Sequence, residues 1–310
     1  MNYEVSIKGH ASHQDGRISL DRLAELSAVL MEIARDAMQI RTRGFSKSRG
    51  KRPAEVIEGI KIELVGLRKG STVLALEAPP ILAQLPAGVQ LDLEHPEWEQ
   101  LYREETGMSL VIGSFQQALT GGEAEFLDKP LLKDMRKLKR VLKSPQESIV
   151  LGNGSLETTV SLNQQDFERI NLLEEQTPAP KRVMVVGKLD LLEHSRSRVK
   201  VLLSDGGTAT GFLTEELREG NVKDYWGKEL ALTGTAYFRP NGKLAHLLID
   251  QVSASKPGDD LFRVVPKAET VDQQIERQIK EGKRQDHPRR LVGQWPGEET
   301  YEELHKLLRK

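Results

Sequence analysis

The alternation of hydrophobic and polar residues at the start of the chain predicts a strand, a long helix and two further strands. Residues 3–8 alternate between apolar and polar side chains, which is the period of a half-buried strand. Ser19 is a typical N-cap residue, and the apolar residues between 23 and 40 recur at three- and four-residue spacing, which predicts one amphipathic helix. The segments 60–65 and 72–77 have the composition of strands, and the glycines between them favour a hairpin.

The next part of the chain has helical periodicity twice and then the pattern of strands. The segments 97–119 and 130–143 are predicted helices, with a glycine interrupting the first. The segments 148–151 and 157–162 are predicted strands, and a Gly-Asn-Gly turn signal separates them. A predicted helix over residues 164–174 completes this half of the chain.

Five strand-like segments follow a short linker that contains prolines. They are residues 183–192, 198–203, 208–213, 229–238 and 245–252. A short helical stretch, residues 214–221, separates the third strand from the fourth. This order over residues 182–253 resembles the OB-fold, a small five-stranded barrel, and five-stranded barrels of the SH3 type are the alternative. Gly187 and Gly234 lie where such a barrel must bend sharply.

The predicted fold class is therefore α+β, with an N-terminal α+β region, a five-stranded OB-like β-barrel and an extended, partly helical C-terminal tail. The predicted boundaries are 1–176 for the α+β domain, 177–181 for the linker, 182–255 for the barrel and 256–310 for the tail. The first region is predicted either as one domain or as two subdomains that divide near residues 79–96, where prolines interrupt an apolar stretch.

Composition narrows the classes of protein to which the chain can belong. The 310 residues include no cysteine, and 45 basic and 46 acidic side chains give a net charge of −1. The lack of cysteine excludes disulfide-stabilised scaffolds, Cys-ligated metals and thiol nucleophiles. The small net charge argues against a uniformly basic nucleic-acid coat protein and leaves local basic segments open. Because no secretory signal pattern and no apolar run of about 20 residues is visible, we expect a cytoplasmic protein that does not enter a membrane.

Signatures of catalysis are scarce in this sequence. It has no Walker A loop, no dinucleotide-binding fingerprint, no nucleophile elbow and no zinc-protease motif. Among the seven histidines only His10 and His13 are close in sequence, and they fit either a metal pair or a solvated loop. The sequence therefore predicts a binding protein with no catalytic residue, no cofactor and no metal site. An enzyme with an unrecognised site remains the third hypothesis.

Two basic and aromatic segments suggest nucleic-acid binding as an alternative function. A loop without acidic residues contains the cations Arg41, Arg43, Lys47, Arg49, Lys51 and Arg52. The barrel strands offer the cations and aromatic rings of Arg198, Lys200, Phe212, Tyr237 and Phe238. Bases stack on aromatic rings beside cations that contact phosphates, although only one of two adjacent strand residues such as Tyr237 and Phe238 can face outward. Docking of an acidic partner, or a merely solvated loop, explains the same basic segment.

The C-terminal tail contains the most distinctive motif of the chain. The Trp-Pro-Gly sequence cannot continue a helix, and tryptophan is a frequent anchor of protein interfaces. Residues 291–304 are similar to C-terminal segments of bacterial antitoxin-like proteins that are paired with PIN-domain ribonuclease toxins. This resemblance implies a tail that wraps over the toxin and directs basic side chains to its acidic, magnesium-binding site. The expected partner-binding residues are Arg289, Arg290, Trp295, Pro296, Gly297, Glu298, Leu304 and Leu307.

This resemblance makes an antitoxin-like binding protein that neutralises a protein partner the leading hypothesis. The large folded portion before the tail departs from the small DNA-binding antitoxins, so the resemblance does not extend to autoregulation of an operon. The alternative for the tail is that Trp295 folds back onto the barrel of its own chain. The oligomeric state is left open by the sequence.

Overall fold

A computed structural model describes most of the chain as a large folded unit and a smaller C-terminal one. The described residues are 1–9, 17–47, 52–68, 72–85, 96–120, 124–154, 158–193, 197–214, 217, 222–266, 268–269 and 271–282. Residues 1–268 form one compact unit, here called the body, and residues 269–310 form the second. In the part of the chain that the structure describes, no helix has the length and apolar character needed to cross a membrane.

The described elements are helices and short strands in the first half of the body and mainly strands in the second. The strands are β1 Asn2–Lys8, β2 Glu63–Arg68, β3 Thr72–Glu77, β4 Ser148–Asn153, β5 Thr159–Leu162, β6 Lys181–Glu193, β7 Arg198–Leu202, β8 Thr208–Leu213, β9 Glu229–Phe238 and β10 Leu244–Ala254. The helices are α1 Leu20–Arg43, α2 Ala54–Gly59, α3 Pro96–Glu104, α4 Gly107–Thr120, α5 Lys129–Lys137, α6 Gln164–Gln176 and α7 Val271–Lys280. Single 3₁₀ turns lie at Ile81–Gln84, Leu138–Val141, Val222–Tyr225 and Asp259–Phe262.

The N-terminal region is an antiparallel sheet that packs against helices. The strand order is β2-β3-β1-β4-β5. Tyr3, Val5 and Ile7 are buried on one face of β1, as their alternation predicts, and they join the same core as the apolar side of α1. The side chain of Ser19 accepts a hydrogen bond of 3.4 Å from the backbone of Arg22, which confirms Ser19 as the N-cap of α1.

The barrel closes through five strands in the order β10-β8-β7-β6-β9, with β10 also paired to β9. The pairing of β8 with β10 is parallel and the other pairs are antiparallel. Gly187 and Gly234 lie where neighbouring backbone comes close, since a Cβ would stand 2.7 Å from the carbonyl oxygen of Leu202 at Gly187 and 2.1 Å from that of Leu248 at Gly234. An α+β region followed by a five-stranded barrel is confirmed.

Several predicted boundaries differ from those of the structure. The predicted helix over 97–119 is two helices, and the break between them is held by a β-bridge from Thr106 to Pro80 and by a 2.8 Å hydrogen bond from the Thr106 N–H to Ser109 Oγ. The basic helix predicted over 130–143 ends at Lys137 and continues as a 3₁₀ turn. β2 begins at Glu63, after the short helix α2 that the sequence analysis missed. Most of the helix predicted over 214–221 lies outside the described residues.

Candidate functional site

The predicted basic loop is helical at its start, because Arg41 and Arg43 lie in the last turn of α1, and both arginines form ion pairs with acidic residues of the body. Arg41 lies 3.1 Å from Glu105, and its guanidinium stands 5.1 Å from the centre of the Phe126 ring. Arg43 lies 2.8 Å from Glu55. These contacts compensate part of the positive charge that the sequence places in this loop. Phosphate contacts by the two arginines would have to compete with them.

Lys47 and Arg52 of the same loop contact a cluster of three acidic side chains, here called the carboxylate cluster. It comprises Glu32 and Asp36 from α1 and Asp134 from α5. The ammonium of Lys47 lies 3.2 Å from Glu32 and 3.8 Å from Asp36, and it also contacts Asp134. Arg52 lies 2.8 Å from Glu32 and 2.5 Å from Asp36. The loop is thereby attached to two helices that are far apart in sequence.

The two aspartates of the carboxylate cluster have pKa values that are shifted in opposite directions. Desolvation raises the pKa of Asp36 to about 9, and the hydrogen bond with Asp134 adds to this rise, against the positive charges of Lys47 and Arg52. Desolvation also acts to raise the pKa of Asp134, but hydrogen bonds with Asp36, Lys137 and Lys47 outweigh it and lower that pKa. The pair therefore holds one proton at neutral pH, on Asp36, which donates to the carboxylate of Asp134.

The carboxylate cluster has the spacing of a cation site, and a lysine occupies it. One carboxylate oxygen from each of Glu32, Asp36 and Asp134 lies within 4.8 Å of the others, and oxygen sets of this kind suit divalent cations. The Lys47 ammonium is within ion-pair distance of all three side chains. A metal ion would have to displace this ammonium, so the geometry favours a charge-neutralised structural cluster. Sequence reasoning missed the cluster because its only local signal is the four-residue spacing of Glu32 and Asp36.

The aromatic residues of the barrel meet a phenylalanine from the N-terminal region. Phe45, just after α1, contacts Phe212 of β8 edge-to-face, with ring centres 4.8 Å apart, and it lies 5.1 Å from His246 of β10. The ring of Tyr237 on β9 stacks on His246, with centres 4.6 Å apart and an angle of 8° between planes. These four residues are here called the aromatic junction. They join the N-terminal region to the outer surface of the barrel.

A buried arginine fastens the same junction. Arg239, at the end of β9, donates hydrogen bonds of 2.9 Å to the carbonyl oxygen of Gly44 and 3.3 Å to that of Leu127. Burial lowers the pKa of Arg239, opposed by the negative charges of Asp128 and Glu125. Burial, with the charge of Arg239, lowers the pKa of His246 to about 3. His246 is therefore neutral at physiological pH and can pack between aromatic rings.

The remaining residues of the nucleic-acid hypothesis take different positions on the barrel. Phe238 lies in the barrel core, whereas Tyr237 faces outward, as the alternation of a strand requires. A nucleic acid cannot reach the Phe238 ring in this arrangement. Arg198 and Lys200 are half-buried on β7, and Arg198 lies opposite Phe212 in the strand register. Arg49 and Lys51 lie outside the described residues.

The tail residues predicted to bind a partner also lie outside the described residues. They are Arg289, Arg290, Trp295, Pro296, Gly297, Glu298, Leu304 and Leu307. The same holds for His10 and His13 of the alternative metal pair.

Comparison with protein-family models, with curated proteins and with solved structures finds no match to this chain. Functional inference therefore depends on the chemistry of the chain itself.

Proposed function

We propose that this protein is a non-enzymatic, antitoxin-like binding protein that captures and neutralises a protein partner with its C-terminal tail. The partner in this proposal is a PIN-type nuclease toxin, as the resemblance of residues 291–304 implies. The observation that carries the proposal is the exposed apolar stripe of α7, at the start of the second compact unit.

The stripe consists of two isoleucines one helical turn apart. The side chains of Ile275 and Ile279 are 42% and 54% exposed. The helix itself is reinforced by Arg277, which pairs with Glu269 at 2.8 Å and with Glu281 at 3.0 Å. A helix that is charged on its other faces and apolar along one line is suited to lie in a hydrophobic groove of a partner.

The residues after α7 supply the chemistry that a nuclease would recognise. Arg289 and Arg290 provide guanidinium groups that bind carboxylates in bidentate geometry, which suits an acidic, metal-binding active site. Trp295 provides the large aromatic anchor, held at a Pro-Gly turn. In this proposal Glu298, with Leu304 and Leu307 in the closing amphipathic segment, adds a polar and an apolar contact at the end of the tail.

Nucleic-acid binding by the barrel is the weaker proposal. The number of strands and the mixed pairing support the OB-fold interpretation, in which ligands bind across the second and third strands. Here Phe212 on the third strand already packs on Phe45, and Tyr237 stacks on His246. The cations of the basic loop that the structure describes pair with carboxylates of the body. The proposal of an enzyme has no supporting constellation among the described residues.

The test is co-expression of the full chain with the product of the neighbouring gene, followed by purification and a ribonuclease assay. We expect a complex that inhibits the nuclease. Trp295→Ala should raise the dissociation constant of this complex by about 30-fold or more, because interface tryptophans contribute about 2 kcal/mol or more to binding. Trp226→Ala, which removes an exposed tryptophan of the body, is the matched control and should leave affinity unchanged.

Two results would overturn the proposal. The first is that the neighbouring gene product forms no complex with the full chain. The second is a complex that survives deletion of residues 269–310 with unchanged affinity, since the partner would then be held by a surface of the body. Circular dichroism of each variant establishes that the body is folded, so that loss of binding reports on the tail.

A further inference from the structure

The strand β2 presents an apolar edge of the N-terminal sheet. It stands at one end of the strand order, and among the described strands it pairs with β3 alone. Leu64, Val65 and Leu67 are 45%, 65% and 47% exposed. A Cβ placed on Gly66 would meet no atom within 4 Å, which marks the same edge as open. Exposed edges with apolar side chains are templates for pairing with another strand.

A β-bulge in β2 brings the side chains at the two ends of this strand onto the same face of the sheet. The register with β3 shifts between Leu64 and Gly66, so Val65 is an extra residue. Glu63 lies opposite Glu77 of β3, and Arg68 lies opposite Val73 of β3. Because Glu77 and Val73 both face outward, Glu63 and Arg68 lie on the same face of the sheet. In a regular strand, residues at this odd spacing would lie on opposite faces. For the same reason Leu64 and Leu67 both lie on the core face.

We propose that β2 pairs antiparallel with β2 of a second copy of this chain, about a two-fold axis between Val65 and Gly66. In this register Glu63 lies opposite Arg68 of the second copy, and Leu64 lies opposite Leu67 of the second copy. Directly opposite residues share a face in antiparallel sheets, and the bulge satisfies this condition for both pairs. The two N-terminal sheets join into one continuous sheet, with an isologous interface.

Charge complementarity selects a second copy as the occupant. Opposite charges stand at the two ends of β2, so the strand is complementary to itself when reversed, and a parallel alignment would place Glu63 against Glu63. In their own chain Arg68 pairs with Glu4 at 2.5 Å and Glu63 pairs with Lys61 at 2.8 Å. All four side chains are at least partly exposed, and surface pairs of this kind are weak, so both charges are available to the second copy.

The test is the mass of the full chain by sedimentation equilibrium, combined with charge reversal at both ends of β2. We expect a dimer of the 34.8 kDa chain. Arg68→Glu alone and Glu63→Arg alone each place like charges opposite each other twice, and each should raise the dimer dissociation constant by about tenfold or more. An equimolar mixture of the two variants should form a heterodimer, because each contact is again between opposite charges. Glu4→Gln removes only the partner of Arg68 within its own chain and should leave the dimer intact.

Three outcomes would overturn the proposal. They are a monomeric wild-type chain, a dimer that both single variants retain at wild-type affinity, and a mixture of folded variants that stays monomeric. Hydrogen exchange gives an independent measurement, because pairing protects amides of β2 in the wild-type chain and this protection should fall in each single variant.

Discussion

The guanidinium of Arg239 reaches from the end of β9 to the carbonyl oxygen of Gly44, the residue that ends α1, at 2.9 Å. Its second hydrogen bond, to Leu127, lies on a different segment of the N-terminal region. One side chain therefore holds the barrel to two points of the helical region. The aromatic junction around Phe45 lies beside this contact and shares the same segment after α1.

Arg239→Met should destabilise the body by about 2–3 kcal/mol. The variant keeps the length of the side chain but leaves two carbonyl groups without their charged donor, and hydrogen bonds to charged groups contribute in this range. Denaturant unfolding, followed by circular dichroism, measures the change. Arg182→Gln is the control, because it breaks an exposed ion pair with Asp250 at 2.7 Å and should have little effect. Equal effects of the two substitutions would contradict the role of Arg239.

Phe45→Ala should destabilise the aromatic junction through the residue that the N-terminal region contributes to it. The variant removes the ring that contacts Phe212 and His246, and we expect a loss of about 1.5–3 kcal/mol, the range for burial of a phenylalanine side chain. Because water would then reach His246, its pKa should rise from about 3 toward the ordinary value of 6.5. An NMR titration of the histidines measures this shift. Phe45→Leu, which keeps an apolar cover, should change both quantities less, and an unchanged His246 titration in Phe45→Ala would contradict the prediction.

The carboxylate cluster predicts that stability falls as the pH rises. Asp36 has a pKa of about 9 in the folded chain against an ordinary value of 3.8, so the folded state retains a proton that the unfolded state releases. Between these values each pH unit lowers the free energy of unfolding by at most about 1.4 kcal/mol from this group. The contribution is fully present below the unfolded value and is lost as the pH passes the folded one.

Asp36→Asn should reduce the dependence of the free energy of unfolding on pH in this range, because the amide cannot titrate. Urea unfolding at several pH values between about 5 and 8 measures the slope. We expect the variant to gain stability relative to the wild-type chain as the pH rises. Asp250→Asn, on the exposed pair with Arg182, should keep the wild-type slope. Parallel profiles of the wild-type chain and Asp36→Asn would show that Asp36 is not the group that holds the proton.

Gly234→Ala should prevent the barrel from closing normally. The new methyl group would stand 2.1 Å from the backbone oxygen of Leu248, and a backbone atom cannot move aside as a flexible side chain can. We expect a loss of about 3 kcal/mol or more. Gly113→Ala in α4 is the matched control, since its nearest neighbour would be the end of Arg41 at 3.5 Å, and alanine favours helix by about 1 kcal/mol. Thermal unfolding should therefore shift in opposite directions for the two variants.

Local patterns were sufficient for much of the architecture. The alternation over residues 3–8 identified the buried face of β1, and Ser19 marked the start of α1. The order of strands and turns predicts a five-stranded barrel, which the strand pairing confirms. These features depend on the period of a single element and on the residue that caps or bends it. Because these features depend only on residues that are close together in the chain, the sequence alone determines them.

The partners of charged and aromatic residues were decided by the tertiary structure. The basic loop had the pattern of a phosphate-binding segment, yet Lys47 and Arg52 contact the carboxylate cluster, whose members Asp36 and Asp134 come from different helices. Phe212 and Tyr237 had the pattern of a stacking surface, yet they pack within the aromatic junction. Periodicity shows which side of an element faces inward, but the packing of distant elements sets which charge or ring meets it. For that reason the sequence determined the elements of this protein, and only their packing decided which carboxylates and rings its basic and aromatic residues contact.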